Sequence, residues 1–426
     1  MGFCDLWVSW MAKRTVRELD LEGRRVLVRA DLNVPLDAAA GISDDRRIQL
    51  FLPTLRHIVA HRGRAVLMSH LGRPKGDHAA DRKLSLAPVA SRISDLLGTA
   101  CGFVEDCVGD DALAATRAMG DGDVLLLENL RFHPAETIID NAKKNPDGKL
   151  TPEQAALRES FAAALAANGD LYVNDAFGTC HRNHVSMYDV PRLMGGGRRA
   201  IGFLVEKELE YLGRALESPQ RPFVAVLGGA KVSDKIGVVR SLLERVDRIL
   251  IGGAMMYTFW AAKGIAVGKS LCEQERIELA GELISAAGDK LVLPSDTVFA
   301  DRLEAGAARH VAVGEVPPEQ MGLDVGPETV TRFSEILRGA RTIVWNGPLG
   351  AFETPPFDAG TNAIARVIAE AGDAGAVTVI GGGDSASAMQ RAGLAERMTH
   401  ISTGGGASLK FLEGKRFEPI EIIDDV

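Results

Sequence analysis

Cysteine is scarce in this chain, and the five present (Cys4, Cys101, Cys107, Cys180 and Cys272) are odd in number and scattered. They form no CxxC pair and no zinc-ligand spacing. That excludes a disulfide scaffold or a zinc finger, and reduced thiols in a cytoplasmic protein are expected. Cys180 adjoins His181, but neighbours in an extended segment point to opposite sides, which argues against a nucleophile–base pair. No apolar run reaches the roughly 18 residues that a membrane-spanning helix needs. The opening MGFCDLWVSWM is apolar but short, without a basic flank or a small-residue cleavage site, so it does not read as a signal peptide. Residues 1–10 are expected to be an extension without function, ahead of a more ordinary start at Met11. A basic surplus is missing too. The net charge is −8 with a pI near 5.7, which argues against a nucleic-acid partner. Aromatic residues contribute only 5% and no exposed apolar stripe is evident, so a monomer is expected. Standard phosphate motifs are absent as well. No GxGxxG opens a helix early with an acidic residue about twenty positions on, which weakens a dinucleotide reading. Residues 264–270 (GIAVGKS) have three residues between the glycines where a P-loop has four, and they follow no strong strand, so they read as an ordinary turn.

At 426 residues the chain is long enough for two domains of roughly 200 residues each. Apolar runs of strand type alternate with helical segments throughout, which predicts parallel sheets covered on both faces. In the first half, strands are predicted at 25–30, 65–69, 123–127 and 171–173. Helices are predicted at 45–61, 86–97 and 152–167, the first expected to kink or start late because of Pro53. Asn145-Pro146-Asp147-Gly148 reads as a surface turn. Each strand ends in a polar cluster: Asp31 and Asn33, then His70 and Arg73, then Arg131, then His181 and Arg182 with His184 close behind. Strand C-terminal ends are where open α/β sheets place ligands, so four such clusters suggest one site. Arg47, at a helix start, could join it. Taken alone, the histidine-bearing stretch 171–187 could be a metal site, an acid/base pair or an anion clamp. Arginines at the other strand ends favour the clamp, because an arginine fork reads carboxylate or phosphate with two bonds. A metal pair at His181 and His184 is disfavoured, because no carboxylate or third ligand accompanies the two histidines.

An amphipathic segment at 202–216 followed by Ser218-Pro219 reads as a hinge helix. The second half repeats the alternation, with strands predicted at 223–227, 248–251, 291–294, 342–345, 377–380 and 400–402, but here the strand ends carry glycines. Glycines between a strand and a helix let backbone N–H groups approach an anion. With Lys231, Lys235 and Asp384 on the same rim, they indicate a nucleotide whose phosphates carry Mg²⁺. The predicted fold is α/β: two doubly wound parallel-sheet, Rossmann-like domains joined by a hinge helix. Residues 1–200 would bind a small anion, 201–218 form the hinge, 219–414 bind the Mg-nucleotide, and 415–426 form a tail. Phosphoryl transfer after hinge closure follows as the physical reading. An NAD-dependent oxidoreductase and a two-lobed anion-binding protein are the alternatives; the missing fingerprint counts against the first, the Lys/Asp/Gly rim against the second.

The motifs RADLNVP, SHLGRP, LLENLRFH, YVNDAFGTCHRNHVSM, LGGAKVSDKI, VWNGPLGAFE, GGGDSA and STGGGASL occur in this order. Together they closely resemble the phosphoglycerate kinase family from about Ala12 to about Gly414. The resemblance implies transfer of the acyl phosphate of 1,3-bisphosphoglycerate to MgADP, giving 3-phosphoglycerate and ATP. It implies that the phosphoglycerate is held by Asp31, Leu32, Asn33, Arg47, His70, Leu71, Gly72, Arg73, Arg131, His181 and Arg182. Lys235, Gly322, Asn346, Glu353, Gly382, Gly383, Asp384 and Ser385 would hold the nucleotide, with Asp384 on the Mg²⁺. Arg47, Lys231 and Gly405 would act on the moving phosphoryl group. Ser385 stands where the family usually has Thr, keeping the hydroxyl, and Leu32 stands where it usually has Phe and should face the core. The divergent tail would return to pack on the first domain. Partners are then small molecules, with neither nucleic acid nor membrane.

Overall fold

The computed structural model describes residues 12–37, 41–76, 81–145 and 147–426. The expected extension at 1–10, and Pro146 of the expected turn, lie outside them. The described chain forms two compact units: everything up to Glu210 together with Arg416–Val426, and Tyr211–Lys415. The division falls within the helix Phe203–Glu217.

The first unit is built on a six-stranded sheet of β1 (Arg25–Ala30), β2 (Arg64–Met68), β3 (Cys101–Val104), β4 (Val124–Leu127), β5 (Leu171–Asp175) and β6 (Arg199–Ile201), in the order β3-β4-β2-β1-β5-β6. Every pairing is parallel. The central strands are buried on both faces, which is why they read as continuous apolar runs rather than alternating ones. β3, β6 and the helix Asp110–Ala118 were not legible in the sequence; they are short, and β3 is only half buried. The helix Arg46–Ala60 carries Pro53 in its interior and already begins at Arg46, so it does not start late as Pro53 suggested it might. The helix Pro152–Ala166 opens on Thr151, whose side chain caps Gln154 N while Gln154 caps Thr151 N in return, with Pro152 at the first position. Leu32 packs in the core of this unit, as its place in the motif suggested.

The second unit has a six-stranded sheet of β7 (Phe223–Leu227), β8 (Arg248–Ile251), β9 (Leu291–Val292), β13 (Thr342–Asn346), β14 (Val377–Gly381) and β15 (His400–Ile401), in the order β15-β14-β13-β7-β8-β9. It too is all parallel. A separate antiparallel sheet of β10 (Asp296–Ala300), β11 (His310–Val313) and β12 (Met321–Val325) was not anticipated. Its edge strand β11 (HVAV) is largely exposed, unlike the buried apolar runs that marked the others. Among the described residues no helix is long and apolar enough to cross a membrane.

Candidate active site

Sheet register decides which strand ends meet. In the first unit Ala30 pairs with Asp175, Arg29 with Met68, and Leu67 with Leu126. The loops that follow β1, β2, β4 and β5 therefore leave the same edge of four adjacent strands. They are stitched to one another by side chains. Ser69 Oγ donates to Ala30 O (2.8 Å) and accepts from Leu32 N (2.9 Å). Asn33 Oδ1 accepts from Gly72 N at 2.8 Å, and Arg131 donates to Gly72 O at 2.7 Å. Asn129 Nδ2 holds Leu71 O at 2.8 Å. Leu32 and Leu71 are buried, which leaves their backbone as the part able to meet a ligand.

On this frame sits a crowd of cations. Burial, then Arg29, lowers the pKa of Arg131 to about 10, and Arg182 and Arg73 push the same way. His70 is buried and held well below its ordinary range by that burial, then by Arg29, Arg131, His184 and Arg47. Like charges so close together imply an anionic ligand. Arg47 is paired with Asp31, whose Oδ1 is buried without a partner. Arg73 is exposed and makes no hydrogen bond or ion pair with a described residue. Arg182 donates from Nε to His181 Nε2 (3.2 Å) and from its fork to Asp140 (3.3 Å).

Sequence reasoning missed four members of this region. Arg29 is wholly buried in β1 beneath the rim, and a charge inside the run RVLVRA was its only signal. Glu136 and Ser186 lie below it with nothing local to mark them. Asp140 brings a carboxylate to the histidine stretch from well upstream in the chain, 3.5 Å from His184. His184 is nevertheless buried, and desolvation holds it down to about 3. Among the described residues the group with metal-ligand spacing is Asp106, Cys107 and His133, not His181 and His184. Cys180 is buried and its thiol pushed far up by desolvation, so it is inert as a nucleophile.

In the second unit Asn346 pairs with both Leu227 and Gly381, so the turns after β7, β13 and β14 share an edge. Two kinds of glycine occur there. A Cβ on Gly228 would lie 2.1 Å from Pro348 O, and one on Gly253 2.4 Å from Gly229 N. These positions are glycine because one turn's backbone packs on another's. Gly382 (φ +90°) instead opens the helix Gly383–Arg391, and around Gly383 there is open space. Gly405 (φ +49°) likewise precedes the short helix Gly406–Leu412 with nothing near it. Lys235 is buried and donates to Asn346 Oδ1. Desolvation lowers it to about 8, against the opposing pull of Asp234 and Asp384. Asn346 Nδ2 is buried without a partner. Ser385 is also buried, and its Oγ accepts from Gly347 N at 2.6 Å, so its hydroxyl braces the turn. Lys231, Glu353 and Asp384 are exposed. Gly322 lies in β12 against the ring of Tyr257, with its N–H on Ser270 Oγ at 2.8 Å. Residues 264–270 contain no helix N-terminus; Val267 bridges to Val316 instead, an ordinary turn as expected.

A cationic rim on one parallel-sheet unit and glycine-headed helices with a buried lysine on another define a two-unit α/β phosphotransferase. The phosphoglycerate kinase family model matches residues 16–415. The phosphoglycerate kinase of Rhodopirellula baltica is 50% identical over 97% of this chain and 100% of its own length. That of Thermosynechococcus vestitus is 48% identical at the same coverages. The solved phosphoglycerate kinase of Coxiella burnetii superposes with a TM-score of 0.81 at 35% identity, covering 96% of this chain and 98% of that one. The chain belongs to the phosphoglycerate kinase family.

Proposed function

We propose that the chain reversibly transfers the acyl phosphate of 1,3-bisphosphoglycerate to ADP, giving 3-phosphoglycerate and ATP, a step of glycolysis. The observation that carries this reading is the crowd of cations around Arg131 and His70, whose mutual repulsion a compact, highly charged anion would relieve. Arg73, Arg131 and Arg182, with His70 and His181, clamp the phosphoglycerate. The orphaned Oδ1 of Asp31 accepts from the substrate hydroxyl while its Oδ2 steadies Arg47. In the second unit Lys235 and the N–H groups at Gly382, Gly383 and Ser385 take the nucleotide phosphates, the free Nδ2 of Asn346 adds a donor, and Glu353 takes the ribose hydroxyls.

Asp384 stands in the first turn of its helix, exposed and without a hydrogen bond or ion pair to a described residue. That suits Mg²⁺, a hard cation that keeps waters and takes few protein ligands. When bound, Mg²⁺ would neutralise charge on the nucleotide phosphates. An acyl phosphate has a good leaving group, so no general base is needed. Positioning and charge neutralisation by Arg47, Lys231 and the Gly405 N–H suffice, after closure about the helix Phe203–Glu217 excludes water. The described cysteines Cys101, Cys107, Cys180 and Cys272 are free thiols, in keeping with a cytoplasmic setting, and a monomer completes the reading.

A coupled assay for ATP formation from ADP and 1,3-bisphosphoglycerate tests it. Turnover that disappears with a chelator and returns with Mg²⁺ is expected. A folded protein that binds 3-phosphoglycerate without turnover would leave only the anion-binding alternative.

A further inference from the structure

Beneath the cationic rim runs a buried chain of hydrogen bonds whose donor directions can be assigned without seeing a proton. Arg29 Nε lies 2.9 Å from Ser186 Oγ, and the other end of its fork 3.0 Å from His70 Nδ1. Its remaining arm reaches Ala30 O at 2.5 Å. A guanidinium only donates. Ser186 Oγ therefore accepts from Arg29 and turns its proton to Glu136 Oε1, 2.6 Å away. Ser186 N donates to the other oxygen, Oε2, at 2.9 Å. Both oxygens of Glu136 are thus placed to accept, and with Arg29 as the neighbouring cation the arrangement suits a carboxylate. The same rule fixes the far end: His70 Nδ1 must be the unprotonated nitrogen. Arg29, Glu136 and Ser186 are all wholly buried, and Tyr172 Oη pins the Ser186 carbonyl at 2.8 Å.

We propose that Glu136 and Ser186 are positioning residues for phosphoglycerate binding. Through Arg29 they hold His70 as a neutral imidazole that accepts at Nδ1 and presents its Nε2–H as a donor. The identity of the ligand rests on the functional reading above; the chain of bonds does not. A buried arginine with no counter-charge would be costly. Glu136 supplies that counter-charge from one hydroxyl away, which leaves the fork free to grip the histidine. Burial leaves the Glu136 pKa above its ordinary value, with Arg29 and the two Ser186 bonds pulling the other way. A donor fixed in direction before the substrate arrives needs no reorganisation on binding.

Nitrogen-15 NMR of His70 in the unaltered protein tests the chain directly. Nδ1 should resonate as an unprotonated nitrogen and Nε2 as a protonated one, unchanged from pH 7 down to about pH 5. A ring protonated at Nδ1, or charged, overturns the proposal whatever the enzyme's activity. Glu136→Gln and Ser186→Ala should each raise KM for 3-phosphoglycerate about tenfold, the usual cost of one charge-assisted bond. KM for ATP should stay within about twofold, and Ser186→Thr, which keeps the hydroxyl, should restore binding. Equal losses for both substrates, or none in folded variants, would mean that Glu136 serves only to neutralise Arg29. If Glu136→Gln does not fold, the Ser186→Ala and Ser186→Thr pair still decides. Absence of phosphotransfer by the unaltered enzyme would instead refute the functional reading.

Discussion

Arg47 and Asp31 show how much one pair can carry. Asp31 is almost wholly enclosed, yet Arg47 is its only described hydrogen-bond partner and its second oxygen has none. Replacing Arg47 strands the Asp31 carboxylate and, on the proposed function, removes a cation from the moving phosphoryl group. Arg47→Ala should therefore lower kcat by about a hundredfold or more, on the scale of losing one preorganised donor, while nucleotide affinity changes little. Arg397 is exposed and among the described residues forms its ion pair with Asp373, so Arg397→Ala should stay within about twofold of wild type. Steady-state kinetics of the two variants side by side would check this, and near-normal turnover in Arg47→Ala would refute its role. Both cations were visible in the sequence. What separates them is the buried partner, and that lies in another loop.

The helix Phe203–Glu217 begins where β5 ends. Asp175 Oδ1 accepts from Leu204 N (2.9 Å) and Val205 N (3.1 Å), capping the helix from a strand rather than from its own flank. Gly202 is glycine because a Cβ there would lie 2.3 Å from the Asp175 carboxyl carbon. Burial raises Asp175 from 3.8 to about 7, against the helix N–H groups. The folded state thus holds a proton that the unfolded state releases near pH 4. The stabilisation linked to that proton is present below pH 4 and is lost as pH rises through 7. Asp175→Asn keeps an acceptor without the charge, so its melting temperature should gain on wild type between pH 5 and pH 8. Asp175→Ala leaves two buried donors unmet and should cost about 2 kcal/mol or more at any pH in that range. Thermal melts of the three proteins across pH would show it, and parallel curves for wild type and Asp175→Asn would count against the account. The sequence marked the helix by its amphipathic period but gave no sign of its cap.

On the scale of the whole chain, the last eleven residues belong to the unit formed by the first half. Phe417, Ile420 and Ile423 are buried there. Lys13, itself buried, donates to Glu421 O and Ile423 O and pairs with Asp425 at 2.7 Å. Arg199 grips Asp424, and Asn174 of β5 donates to Pro419 O at 3.2 Å. Ending the chain at Lys415 removes the buried side chains of Phe417, Ile420 and Ile423, each worth roughly 1.5–3 kcal/mol, takes from Lys13 the partners named above and leaves Asn174 without its carbonyl partner. Hydrogen exchange should then show protection lost around β5, β6 and residues 12–19, and kept throughout Tyr211–Lys415. Uniform protection in both units would mean the tail contributes little. The tail also lines, with His181 and Arg182, a cleft of about 550 Å³, so its loss should loosen the phosphate clamp proposed for those two residues.

The residues alone were enough for the alternation of strands and helices, the arginine-ended and glycine-ended halves, and the family motifs. Each of these is written in a few neighbouring positions as periodicity, turn chemistry or a strand-end cluster. Tertiary structure was needed for the partners. Arg29 and His70 are 41 residues apart, and Glu136 and Ser186 are 50 apart. Strand order and register bring them together, and those depend on which buried faces pack across the whole sheet. The same holds for the unforeseen antiparallel sheet, and for the glycines, of which only the three-dimensional packing tells those that clear a path for backbone from those that stand open to a phosphate.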